Sequence, residues 1–191
     1  MSLWTITLIL GYALVLIINL IFDFTFGTIA NFLICACITM LPAIIFLFAG
    51  RTLPKKFFSS NNRLFTVDKF KQWMCKITSV KSWKDKIPVG GKVSGFNLKN
   101  LDRPNDIEYL NRFVYESCFA EWLHLSLVFW SIAAFGISCI IGMHLALCFG
   151  LPIAVLFAYQ NMTSTIIQWH TRPKIVRLRS MLATQLGVTI K

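Results

Sequence analysis

Uncharged stretches long enough to cross a bilayer alternate along this chain with short turns and two basic segments. No side chain is charged from Leu3 to Phe22, and none from Thr28 to Gly50. Each run supplies the ~20 residues that a helix needs to traverse about 30 Å of hydrocarbon. A third run follows Glu121 and extends to Ile141, broken only by His124; a fourth goes from Leu145 to Ile167, with Pro152, Asn161, Thr163 and Thr165 inside it. The pattern predicts an all-α polytopic membrane protein with about four transmembrane helices arranged as two hairpins.

Two other accounts of the runs fare worse. No Lys or Arg precedes the first run, it is too long for the apolar core of a secretory signal, and no small-residue cleavage pattern follows it. Four buried core helices would leave a chain of 191 residues too little polar surface to cover them.

Charge then sets an orientation. All 19 Lys and Arg lie between Arg51 and Arg112 or between Arg172 and Lys191, whereas the turn at Phe22–Gly27 carries only Asp23 and the turn at Gly142–His144 has neither Lys nor Arg. Two hairpins put both basic segments on the side of the N-terminus, which the positive-inside rule makes cytoplasmic. The expected organisation is a single functional domain: an N-terminal transmembrane hairpin (1–50), a basic cytoplasmic and interfacial segment (51–117), a C-terminal transmembrane hairpin (118–168) and a basic cytoplasmic tail (169–191). The chain is thus expected to be multi-pass in the cell membrane with both termini cytoplasmic, and Trp4, Trp122 and Trp169 are expected as interfacial anchors. The six cysteines are expected to serve as small apolar residues, not as a disulfide framework.

The basic segment has its own pattern. It carries 14 basic and 6 acidic residues from Arg51 to Ser117, a balance suited to anionic headgroups or an anionic soluble ligand. Phe70, Trp73, Met74, Ile77 and Val80 recur at helical spacing while Lys69, Lys71, Gln72, Lys76 and Ser79 take the other face. That spacing predicts an amphipathic helix in the interface plane, or one packed on the protein's own membrane domain. Downstream, Pro88-Val89-Gly90-Gly91-Lys92 is a turn with a flexible Gly-Gly; the glycine that a phosphate-binding P-loop requires five positions before Gly91 is replaced by Lys86.

The densest chemistry is Glu116-Ser117-Cys118-Phe119-Ala120-Glu121-Trp122-Leu123-His124. On a helix, Glu121 and His124 share a face, with Glu116 two turns before the histidine. A carboxylate beside an imidazole fixes its tautomer and stabilises the protonated ring, as a general base requires. Two readings stand: a catalytic one, and one in which Glu116 pairs with Arg112, Glu121 pairs with a basic residue elsewhere and His124 is a helix-packing donor. Asn161 and Gln168, seven apart on one face, are costly in hydrocarbon unless they face a bundle or cavity. They precede Trp169-His170-Thr171-Arg172-Pro173-Lys174 at the same boundary.

Four blocks occur in order: Leu53-Pro54-Lys55-Lys56-Phe57-Phe58, Trp83-Lys84-Asp85-Lys86-Ile87-Pro88, Glu116…Ala120-Glu121-x-x-His124 and Asn161…Gln168…Arg172-Pro173-Lys174. From about Leu53 to Leu178 the chain resembles the glycosyl-4,4′-diaponeurosporenoate acyltransferase family, small membrane enzymes that finish staphyloxanthin-type pigments. The resemblance implies transfer of a fatty acyl group from an activated cytosolic donor, acyl-CoA or acyl carrier protein, to a sugar hydroxyl of a membrane glycolipid. It implies His124 as general base with Glu121 or Glu116 orienting it, and Asn161, Gln168, His170, Arg172, Trp83 and Lys84 as substrate-binding residues. No metal, no further cofactor and no nucleic-acid partner are expected; membrane lipids, the glycolipid acceptor and the acyl donor are. The chain departs from the family pattern in its last block: Trp169-His170-Thr171 replaces Arg-Tyr-Asn and Thr163 replaces a proline. His170 is therefore a second candidate base, and the acceptor need not be a carotenoid glycoside. An alternative class is a non-catalytic membrane adaptor binding anionic lipid or a partner through its basic segment. A carboxylate-bridged di-iron site would need a second Glu-x-x-His, which the sequence lacks.

Overall fold

A computed structural model of the chain describes residues 3–22, 26–87 and 101–187. The Asp23 turn, the Pro88–Lys92 turn and Gly95-Phe96 lie outside the described residues, as does the side chain of Trp4. Every regular element among the described residues is helical: α1 (Leu3–Phe22), α2 (Phe26–Met40), α3 (Pro42–Thr52), α4 (Lys69–Ile77), α5 (Val80–Trp83), α6 (Ile107–Ile141), α7 (Met143–Leu145) and α8 (Leu151–Leu186). Single 3₁₀ turns cover Lys55–Phe58 and Lys84–Lys86, and a π turn covers Ala146–Gly150.

The uncharged runs become helices that differ from the sequence pattern in places; the last, for one, runs from Leu151 through Pro173 to Leu186. The second run is jointed at Leu41, because Pro42 has no N–H to give and disfavours helical geometry in the residue before it. The chain carries on through the joint, with Leu41 N bonded to Cys37 O at 3.0 Å and Ile44 N to Leu41 O at 3.1 Å. The third helix starts well before Glu121, at Ile107, where the Asp106 carboxylate accepts from the N–H groups of Glu108 (3.0 Å) and Tyr109 (3.1 Å). Its 35 residues put Glu116, Glu121 and His124 on one continuous helix.

Among the described residues, three helices are long and apolar enough to cross a membrane: Gly27–Thr52, Ile107–Ile141 and Met143–Leu186; Leu8–Ile21 of α1 is a shorter apolar helix. Ile9, Leu10, Leu14, Ile45, Phe48, Phe129 and Ile132 expose large apolar side chains along these helices. So much uncovered hydrocarbon is a liability in water and an asset in lipid, which associates the chain with a membrane.

The chain forms two compact units, 1–50 with 123–163, and 51–122 with 164–191. In the first, Cys35, Leu145, Phe149 and Ile153 make a buried cluster against which Tyr12, Val15 and Phe32 pack. Polar groups tie its helices together: Asn19 Nδ2 donates to Cys148 O in the π turn at 3.1 Å, and Trp130 Nε1 donates to Ile38 O at 2.9 Å. A Cβ on Gly150 would come within 2.7 Å of Ser138 Cβ, so the turn requires glycine there for close approach.

The second unit packs aromatic rings around Phe58, which meets Phe65, Tyr115, Phe119 and Trp122 at centroid distances of 5.4 to 6.0 Å. α4 begins at Asp68, whose Oδ1 accepts from Lys71 N at 2.9 Å. The helix exposes Phe70, Trp73 and Ile77 and turns Lys71 inward, so its apolar face is not what packs on the unit. It ends at its C-cap Thr78, and the next residue, Ser79, leads into α5 with a φ of 49°, the left-handed conformation that costs a side chain about 1–2 kcal/mol.

Candidate active site

α6 and α8 run through both units, and each unit pairs a stretch of one with a stretch of the other. In the first unit, His124 Nδ1 and Asn161 Oδ1 are 2.8 Å apart. The amide orientation is fixed by its other end, because Asn161 Nδ2 donates to Phe157 O at 2.8 Å. The oxygen facing the ring can only accept, so Nδ1 carries a proton, and in the neutral ring Nε2 is the nitrogen with the lone pair. Asn161 is 4% exposed, and this bond supplies the oxygen of an amide otherwise costly to bury.

In the second unit, Glu121 is the centre of a buried charge cluster. Its Oε1 accepts from Lys71 Nζ at 2.8 Å and from Trp169 Nε1 at 2.7 Å, and its Oε2 accepts from Arg172 Nη2. Glu121 is 0% and Arg172 1% exposed, and Lys71 Nζ also lies 5.5 Å from the centroid of the Trp169 ring. Arg172 Nη1 reaches Cys118 Sγ at 3.3 Å. A carboxylate this deep requires positive partners, which is the reason α4 turns its Lys71 side, and not its apolar face, toward the unit. Trp169, expected as an interfacial anchor, is buried instead, and its indole N–H is used on the carboxylate.

The remaining predicted residues are placed as follows. Glu116 pairs with Arg51 at 3.2 and 3.4 Å, and that guanidinium lies 4.1 Å from the Phe119 centroid. Gln168 Oε1 accepts from Ser117 Oγ at 2.9 Å. His170 Nε2 is 3.1 Å from Lys174 Nζ. Trp83 Nε1 donates to Thr78 O at 2.6 Å, and half-buried Lys84 bonds its exposed neighbour Asp85 at 2.8 Å. Among the described residues, no three His, Cys, Asp or Glu side chains gather as a metal site.

A cleft of about 960 Å³ opens in the second unit between α4–α5 and the Trp169–Arg177 stretch of α8. His170, Arg172, Lys174 and Arg177 line it with Lys76 and Lys81, and Phe65, Val80 and Val176 supply apolar wall. Neither Trp83 nor Lys84 is among the lining residues. Cys75 also lines it; burial pushes that thiol's pKa up, and its S–H donates to Ile166 O at 3.7 Å. Sequence reasoning passed over Lys71, Arg51, Ser117, Lys76 and Lys81; the one available signal was Glu121 itself, an acid at the head of an apolar run that has to find cations.

A family profile described as CrtO: Glycosyl-4,4′-diaponeurosporenoate acyltransferase matches residues 54–181. The chain belongs to this family. The match agrees with the resemblance carried by the four sequence blocks and takes in every predicted site residue from Trp83 to Arg172. The family's name is that of an acyltransferase acting on glycosyl-4,4′-diaponeurosporenoate. No curated protein and no solved structure matches the chain.

Proposed function

We propose that this member of the acyltransferase family moves a fatty acyl group from an activated cytosolic thioester to a sugar hydroxyl of a membrane glycolipid, with His124 as general base. The observation that carries the reading is the Asn161 bond, which leaves His124 protonated at Nδ1 and basic at Nε2. In the proposed step, Nε2 takes the proton of the sugar hydroxyl as its oxygen attacks the thioester carbonyl. The carbon–sulfur bond then breaks and the departing thiolate receives that proton. Asn161 steadies the imidazolium in between through its carbonyl oxygen.

The chain would work as a multi-pass protein of four spans, α1 included, with both termini cytoplasmic and the basic segments facing the donor. Phe70, Trp73 and Ile77 on the exposed face of α4 would rest at the membrane interface. The acceptor is a glycolipid; a glycosylated carotenoid acid fits the family's name. The test compares lipids from membranes with and without the chain by mass spectrometry, looking for a lipid pair that differs by one acyl group. Its appearance supports acyl transfer, whereas an unchanged lipid profile, with the protein abundant and folded, favours a non-catalytic adaptor.

A further inference from the structure

Lys76, Lys81, Lys174 and Arg177 line the cleft of the second unit, and none of the four has an ion-pair partner among the described residues. Residues 88–100, which follow the 3₁₀ turn after α5, contain no Asp or Glu to offer them. Of the carboxylates nearby, Asp85 is paired with Lys84, and Glu121 is already shared by Lys71 and Arg172, so that buried cluster carries one positive charge in excess. Like charges gathered in a concave, partly apolar wall repel one another and focus a field that attracts a multiply charged anion.

The number of charges discriminates between phosphate sources. A phospholipid headgroup or a carrier-protein phosphopantetheine offers one phosphodiester, about −1. A coenzyme A end combines a diphosphate with a 3′-phosphate monoester of roughly −1.5 to −2, about −4 in all. Four cations without an ion-pair partner among the described residues match the second and exceed the first. The volume agrees: about 960 Å³ is at the top of the ~300–1,000 Å³ range of ligand pockets and suits a nucleotide with a tail.

We propose that this cleft binds the 3′-phosphonucleoside diphosphate end of a coenzyme A thioester, making coenzyme A the acyl carrier. The inference rests on the acyl-transfer reading and names its donor. Lys174 and Arg177 lie one turn apart on α8, and Lys76 and Lys81 come from α4 and α5, so the phosphates are gripped from both walls.

The test is calorimetric titration of free coenzyme A into the full-length protein in phosphatidylcholine nanodiscs. Saturable binding is expected, weakened about tenfold or more by Lys174→Gln with Arg177→Gln, and likewise by the independent pair Lys76→Gln with Lys81→Gln. Dephospho-coenzyme A, lacking the 3′-phosphate, should bind about tenfold more weakly than coenzyme A. Absence of saturable binding, equal affinity for the two nucleotides, or indifference to both pairs of substitutions overturns the proposal. Nanodiscs containing phosphatidylglycerol test the other source: loss of coenzyme A binding there assigns the cations to lipid headgroups and also overturns it. His124→Ala should bind coenzyme A as the parent does. Coenzyme A binding without acyl transfer sinks the acyl-transfer reading and leaves the cleft assignment standing; transfer without coenzyme A binding does the reverse.

Discussion

Replacing Glu121 with Gln keeps the shape of the side chain and removes the negative charge at the centre of the buried cluster. Arg172, 1% exposed, and Lys71, whose side chain is 13% exposed, would then face each other without a counter-charge. Breaking a buried pair by deleting one partner costs about 3–5 kcal/mol, because the orphaned charge keeps its desolvation penalty. For a chain of this length, at ~2–4 °C per kcal/mol, that is a drop of roughly 6–20 °C in unfolding midpoint. The assay is thermal unfolding of parent and variant in the same detergent. The same argument makes the triple variant Lys71→Met, Glu121→Leu, Arg172→Met recover most of the loss, since an apolar replacement of all three charges leaves none unpaired. An E121Q midpoint within about 1 °C of the parent, or a triple variant less stable than E121Q, would refute the idea that the cluster clamps α4 to α6 and α8.

Three further outcomes follow from particular contacts. Asn161→Leu removes the acceptor that holds His124 Nδ1 and should lower the acyl-transfer rate by about 10² or more, with the apparent donor KM unchanged in initial-rate assays. Gly150→Ala drives a Cβ against Ser138 and should cost about 1–3 kcal/mol in unfolding experiments, with part recovered by adding Ser138→Gly. Ser79→Val places a β-branched side chain in the left-handed region and should lose about 1–2 kcal/mol, while Ser79→Gly should be neutral or slightly stabilising by the same measurement.

The helices of the membrane runs were legible because an uncharged stretch of that length has few other fates, whereas the joint at Leu41 in the second was not read from the sequence. The early start of α6 was harder to read. Its first turns mix Glu108, Arg112 and Glu116 with apolar residues, and a helix with polar residues on several sides gives periodicity little to detect. His124 and Asn161 stood out as polar groups inside apolar runs, and the two are hydrogen-bonded. Glu121 stood out for the same reason, but the partners of its two oxygens could not be read from spacing: Lys71 is 50 residues away and Arg172 51. The cations of the cleft were hidden by their abundance. Among 19 Lys and Arg, Lys174 and Arg177 read as ordinary positive-inside residues, and only the fold brings them opposite Lys76 and Lys81 around one opening.

The central claim is that His124 takes the proton of an acceptor hydroxyl. Its most direct test is quantitative lipid mass spectrometry on membranes holding equal amounts of folded parent or His124→Ala protein, supplied with the same acyl donor. The account predicts a lipid pair separated by one acyl group in the parent, with its heavier member formed at least ~100-fold more slowly in the variant. Formation at the parent's rate with alanine in place of His124 would contradict it.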